Sequence, residues 1–203
     1  MRDQHVTTTS NRFQPDADQL ASAPADRRPG STVWLTGLPS AGKSTIARAL
    51  AVRLRAEGQQ VELLDGDELR SHLTADLGFS RADRDANVRR VGYVARLLAR
   101  SGVTVLVPVI APYAAARAAV RADHEADGSV FVEVHVATPL DVCAVRDVKG
   151  LYAKQRAGEM SGLTGVDDPY EIPEAPELRL DTEESAAESA SRVHAVLVQR
   201  GLA

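Results

Sequence analysis

Gly37-Leu38-Pro39-Ser40-Ala41-Gly42-Lys43-Ser44 follows the spacing glycine, four residues, glycine-lysine-serine. That is the Walker A pattern of a nucleoside triphosphate site. Each fixed position has a physical reason. Glycine at 37 and 42 permits backbone angles and close approaches that a side chain would block. The loop can then aim successive N–H groups at one point where phosphate oxygens sit, and the helix that follows adds its positive N-terminal end. Lys43 supplies a mobile cation for the β- and γ-phosphates, and Ser44 offers a hydroxyl ligand to Mg2+. The two asparagines, Asn11 and Asn87, are not followed by lysine. The Asn-Lys-x-Asp signature of guanine readers is therefore missing, and ATP is the expected nucleotide.

A second group of residues could serve an acceptor. Asp65-Gly66-Asp67 closes a short apolar run, expected next to the P-loop in the sheet. A carboxylate there can take a proton from a substrate hydroxyl or hold Mg2+ through water. Asp-Gly is also a common turn pair, but beside a Walker A loop the functional reading is favoured, with Asp67 as the acceptor-side carboxylate. Arg70 lies three residues on, so on a helix it shares a face with Asp67, and its planar fork suits phosphate or sulfate. Phe79, Arg81, Arg84, Asn87, Arg89 and Arg90 follow. They offer cations, an amide and a ring, the groups an anionic aromatic acceptor needs, although a solvated basic helix end accounts for some of them, Arg81 especially.

These groups need a scaffold that brings strand ends together. Val33–Thr36, Val61–Leu64, Val103–Ile110, Val130–Val136 and Leu178–Leu180 read as strands. Helical spacing covers Lys43–Glu57, about Arg84–Arg100 and Ala114–Ala126, and another helix opens at Pro139. Asp181 or Thr182 is expected to cap a last helix that ends at Gly201. Strand and helix alternating in this way predicts an α/β fold of the P-loop NTPase type: a doubly wound parallel sheet of about five strands flanked by helices. Ligands bind such sheets at the carboxyl ends of the strands. Residues 146–176 hold several glycines and prolines with little apolar period and read as a lid. Residues 1–29 carry few large apolar groups and read as a flexible tail, leaving 30–203 as one domain.

Composition excludes other classes. The hydrophobic share of 44% and charged share of 26% fit a globular chain, and the 4% aromatic share requires an aliphatic core. A net charge of -4 gives no general attraction to nucleic acid or to an anionic membrane. No apolar run follows the N-terminal charges and none approaches a bilayer span, so a cytoplasmic location is expected. Cys143 stands alone and reads as a small buried apolar residue. His135 reads as structural, and His72, His124 and His194 have no ligand spacing, so no zinc site is expected.

From Ser31 onward the chain resembles the adenylylsulfate kinase family. The resemblance rests on ordered segments: Gly37 to Thr45; Leu64-Asp65-Gly66-Asp67 with Arg70; Leu77-Gly78-Phe79-Ser80-Arg81 with Asp83-Arg84 and Asn87-Val88-Arg89-Arg90; Ile110-Ala111-Pro112-Tyr113; Glu133-Val134-His135-Val136; Arg146-Asp147-Val148-Lys149-Gly150-Leu151-Tyr152; and Thr164-Gly165-Val166-Asp167-Asp168-Pro169-Tyr170-Glu171. It implies transfer of the terminal phosphoryl group of ATP to the ribose 3′-hydroxyl of adenylyl sulfate, with Mg2+, in sulfate activation. It implies Asp67 and Lys43 as catalytic residues, and Gly37 to Thr45 with Arg146 as the ATP site. It places Asp65, Asp67, Arg70, Arg84, Asn87, Ile110, Ala111, Lys149, Leu151, Leu163 and Thr164 around adenylyl sulfate, with Phe79 stacked on the adenine. A homodimer and an association with ATP sulfurylase are also implied. The chain departs from the family's usual residues at Glu68 (often Asn), Ala111 (often Ser) and Leu163 (often Phe). Ala111 loses a hydroxyl contact and Leu163 loses ring stacking, which bears on acceptor affinity rather than on the type of reaction. Other readings remain: a different small-molecule P-loop kinase, or a catalytically silent nucleotide-binding partner in a sulfate-activating assembly.

Overall fold

The computed structural model describes residues 30–181 and 184–203. The expected tail, residues 1–29, lies outside them. In chain order the elements are β1 (Ser31–Thr36), α1 (Lys43–Ala56), β2 (Val61–Leu63), α2 (Gly66–His72), α3 (Arg81–Arg100), β3 (Thr104–Pro108), α4 (Ala114–Ala126), β4 (Val130–Val136), α5 (Leu140–Arg146), α6 (Leu151–Arg156), β5 (Leu178–Leu180) and α7 (Ala186–Gln199). The strands form one sheet in the order β2-β3-β1-β4-β5, and every pairing is parallel. This is the expected α/β architecture.

Burial explains the strand order. Every residue of β1 and β3 is buried, as interior parallel strands covered on both faces require. β2 and β5 are three residues long and expose Glu62 and Arg179, so they serve as short polar edges. One expectation is corrected here: the strand ending at Asp65 is not beside β1, because β3 lies between them. Alternation along β1 divides the core. Val33 and Leu35 pack with Leu50 and Leu54 of α1 and with Val193 and Leu197 of α7. Trp34 packs with Val88, Val91 and Ala95 of α3 and Val120 of α4. Leu50, Leu54 and Leu197 are fully buried, and truncating any one of them to alanine costs about 2–5 kcal/mol.

Local capping moves two helix starts. α3 begins at Arg81 rather than Arg84, because Ser80 and Asp83 form a reciprocal capping box. α7 is not capped by Asp181. Ser185 and Glu188 form its box, while Thr182 and Glu183 lie outside the described residues. β3 stops at Pro108, although Val109 still donates to the Leu35 carbonyl at 3.1 Å. Among the described residues, no helix is long and apolar enough to cross a membrane.

Candidate active site

The Walker A loop joins β1 to α1, and its geometry follows from its glycines. A Cβ on Gly37 would lie 2.5 Å from the Val136 carbonyl oxygen, so only glycine allows the loop this close to β4. Gly42 has φ 102° at the start of α1, a left-handed geometry that favours glycine. Ser40 has φ 62° in the same loop, strain of the kind that gathers at functional sites. Neighbouring side chains anchor the loop. The Ala41 carbonyl accepts from Thr138 Oγ1 at 2.8 Å and from Arg146 Nη1 at 3.4 Å. The Pro39 carbonyl accepts from the Tyr152 hydroxyl at 3.0 Å, and Ser40 Oγ accepts from the Val148 N–H at 3.3 Å.

Lys43 opens α1 and is only 8% exposed. Its ammonium donates to the Gly37 and Leu38 carbonyls at 2.9 and 2.7 Å. Burial lowers its pKa to about 8, because a charged group loses hydration there. The adjacent Cys143 is fully buried, and burial raises the pKa of its thiol, so it remains neutral beside the cation. Ser44 is half-buried and Thr45 is exposed on the first turn of α1. Among the described residues, no group of three His, Cys, Asp or Glu side chains could hold a metal alone. The Ser44 hydroxyl, next to Lys43 at the start of α1, is the kind of oxygen donor that fits a phosphate-borne Mg2+.

The two acceptor-side carboxylates differ in position. Asp65 Oδ1 accepts from the Asp67 N–H at 3.2 Å as the N-cap of α2, and Oδ2 pairs with Arg48 at 2.8 Å. With both oxygens engaged, Asp65 fixes the start of α2. Asp67 has a side chain 71% exposed and paired with Lys149. A lysine from beyond α5 therefore reaches the carboxylate that follows β2. Arg70 lies one turn along α2, with its guanidinium 4.5 Å from the Phe79 ring centroid. Phe79 is 65% exposed.

Arg84 sits in the first turn of α3 and is nearly enclosed. It donates to the Phe79 carbonyl at 2.9 Å, to Thr164 Oγ1 at 2.7 Å and to the Gly162 carbonyl at 2.6 Å. It also pairs with Asp168 at 3.2 Å. Asn87, one turn further on, is half-buried, as are Ile110 and Leu151. Ala111 is buried with φ 44°. Leu163 is only 4% exposed and belongs to the core beneath the loop, with Ala41, Cys143 and Tyr152. Arg90 binds both oxygens of Asp76, at 2.6 and 2.8 Å, so its charge is committed away from the site. Arg81 is not merely solvated: it lies 4.2 Å from the Tyr113 ring centroid and 3.7 Å from Glu171.

Residues 146–176, expected as a lid, divide into two parts. The first contains α6 and docks on the Walker A loop through Arg146, Val148 and Tyr152. The second is stitched to the body. Tyr170 bonds the Thr36 hydroxyl at 3.0 Å and stacks on His135. Burial, and after it the Arg179 and Arg117 charges, push His135 down to about 4, so it stays neutral. Arg117 donates to the Glu171 carbonyl at 2.7 Å, and Tyr113 donates to Asp168 at 3.3 Å. Arg48, Arg117, Asp168 and Glu171 carry no role that the sequence alone reveals. Only the acidic run Asp167-Asp168 facing an arginine-rich helix start hints at the pairing with Arg84.

A glycine-rich phosphate loop, its lysine, and a carboxylate across the carboxyl edge of a parallel sheet define a P-loop nucleotide-binding protein with a kinase-type acceptor side. The family model described as adenylylsulphate kinase matches residues 29–181, and the chain belongs to that family. An adenylyl-sulfate kinase of Microcystis aeruginosa is 52% identical over 175 residues, covering 85% of this chain and 93% of the relative. One from Myxococcus xanthus is 52% identical over 177 residues, covering 87% and 95%. The solved APS kinase CysC of Mycobacterium tuberculosis, in complex with AMPPNP and APS, superposes with a TM-score of 0.82 at 49% identity, covering 84% of this chain and 98% of that one.

Proposed function

We propose that the protein transfers the γ-phosphoryl group of ATP to the ribose 3′-hydroxyl of adenylyl sulfate, giving 3′-phosphoadenylyl sulfate and ADP. One arrangement carries the reading: the Walker A loop and Asp67 stand at the same sheet edge, with Val148 bonded to the loop and the adjacent Lys149 paired with Asp67. The family membership and the relatives' named activity support the choice of acceptor.

In this mechanism the loop N–H groups and Lys43 hold the triphosphate. Ser44 would hold a Mg2+ carried in with the phosphates, and that ion would supply charge neutralisation. Asp67 orients the 3′-hydroxyl and accepts its proton as the oxygen attacks the γ-phosphorus. The bond from that phosphorus to the β–γ bridging oxygen breaks, and its electrons leave on ADP. Phe79, Arg70, Arg84 and Asn87 flank the acceptor, with Ile110, Ala111, Leu151 and Thr164 as further wall. Residues 147–158, docked on the Walker A loop through Val148 and Tyr152, cover the phosphate side, and 162–171 walls the acceptor side. Leu163, buried in the core, leaves Phe79 to stack on adenine from one side. A homodimer, an association with ATP sulfurylase and a cytoplasmic location belong to the same proposal.

The test is ADP release from purified protein with ATP and Mg2+, comparing adenylyl sulfate with a panel of sugars and nucleotides. Turnover with adenylyl sulfate well above the panel is expected. A sugar or nucleotide that outpaces it overturns the acceptor assignment. ATP binding without turnover on any acceptor favours the silent-partner reading.

A further inference from the structure

Arg117, on α4, lies outside every motif that marked the site, yet it is one of the most enclosed charges in the molecule, 3% exposed. Its Nε donates to Glu133 Oε1 at 2.8 Å. Its Nη1 donates to the Ala111 carbonyl at 2.7 Å, and its Nη2 to the Glu171 carbonyl at 2.7 Å. Two of these three partners are main-chain oxygens of segments that line the acceptor side.

We propose that Arg117 is a positioning residue for the acceptor pocket: it clasps the Ala111 and Glu171 carbonyls and so fixes the wall on which adenylyl sulfate rests.

Ala111 carries the argument. Its φ of 44° is a left-handed conformation that a non-glycine residue adopts only at a cost. Asparagine and aspartate hold that conformation with a local hydrogen bond from their own side chain, and alanine has none. The hold must come from outside, and the Arg117 guanidinium supplies it. The clasp then propagates. The Glu171 N–H donates to the Pro112 carbonyl at 2.8 Å. The Glu171 carboxylate accepts from the Ala114 N–H at 2.7 Å, capping α4, whose own N-cap residue Tyr113 makes no side-chain cap. Tyr113 reaches Asp168, and Asp168 pairs with Arg84. A single planar cation thus ties residues 110–114 to 168–171 and, through them, to an acceptor-side arginine. A planar fork with donors in three directions suits this task, and an ammonium does not.

The inference rests on the proposed acceptor site, and its test separates the two. Arg117→Lys keeps a charge beside Glu133 but cannot reach both carbonyls. Arg117→Met with Glu133→Gln removes the buried ion pair together, so no carboxylate is left unpaired. For both variants, KM for adenylyl sulfate is expected to rise roughly tenfold or more, because a small displacement of a positioning wall is expensive, while KM for ATP stays within about twofold. A folded variant of either kind with the wild-type acceptor KM overturns the positioning role, as does an equal rise in both KM values. Absence of wild-type turnover with adenylyl sulfate sinks the substrate assignment instead.

Discussion

Lys43, the lysine of the Walker A loop, is 8% exposed and its pKa is lowered to about 8 by burial. In the unfolded chain the same group titrates near 10.5. Between these values the unfolded state binds the extra proton, so the folded state gains on it as pH rises. Below pH 8 both states are protonated and the cost of burying the cation is present in full. Above 10.5 both are neutral and the cost is gone. From pH 7 to pH 10 the relief is about 2.5 kcal/mol, because stability changes by about 1.36 kcal/mol for each pH step over which the two states differ by one proton. Lys43→Met removes the titration and leaves the other groups common to both proteins. The Cys143 thiol interacts with Lys43 by charge, so both proteins carry Cys143→Ala as a common background. Stability of the Lys43 protein minus that of Lys43→Met in this background, from denaturant titrations at several pH values, should therefore climb by about 2–3 kcal/mol across this range. Its offset at pH 7 also contains the loss of two hydrogen bonds to the Gly37 and Leu38 carbonyls and is not the quantity tested. A difference that stays flat from pH 7 to 10 refutes the reasoning. The same variant should lose turnover by orders of magnitude while still melting cooperatively.

Two further outcomes are expected. Asp67→Asn should lower kcat by about 10²–10⁴-fold with little change in KM for ATP, read by steady-state ADP release; normal turnover would move the proton acceptor elsewhere. Ser185→Ala should lose the α7 capping box and about 1 kcal/mol of stability, measured by thermal melting.

How far these features are legible in sequence depends on how local their causes are. The Walker A loop is readable because each of its positions is fixed by backbone geometry within eight residues. Helix starts at Ser80 and Ser185 are equally local: Ser-x-x-Asp and Ser-x-x-Glu stand in the chain, and a start at about Arg84 or a cap at Asp181 or Thr182 passes over them. Strand order is not legible. The pattern shows that Val105 to Val107 is buried on both faces, but not that β3 separates β1 from β2, which is decided by packing across the whole sheet. The acceptor wall is the least visible. Arg84 meets Thr164 across 80 residues and Arg117 meets Glu171 across 54, and no periodicity encodes such pairs. Leu163 shows the same limit. A departure at that position reads as a lost stacking partner, yet its side chain fills the core beneath the phosphate loop.

The charges on the acceptor side therefore do two kinds of work. Each of the three guanidinium nitrogens of Arg84 already donates to a protein oxygen, and its side chain is 10% exposed. Such a group holds a wall in place and has little charge to spare for a ligand. Arg70 is the opposite case: its contacts to the Leu77 and Gly78 carbonyls are 3.5 Å long, at the limit of a hydrogen bond. Lys149 and Asp67 form an exposed pair, with side chains 54% and 71% accessible, and an exposed pair is weakly held. On the proposed mechanism an arriving anion displaces Asp67 from Lys149 at little cost, freeing a cation for itself and a carboxylate for the hydroxyl. In that mechanism the exchange is cheap because the pair is wet: Asp67 and Lys149 stand exposed, whereas Arg84 and Arg117, which hold the wall, are enclosed.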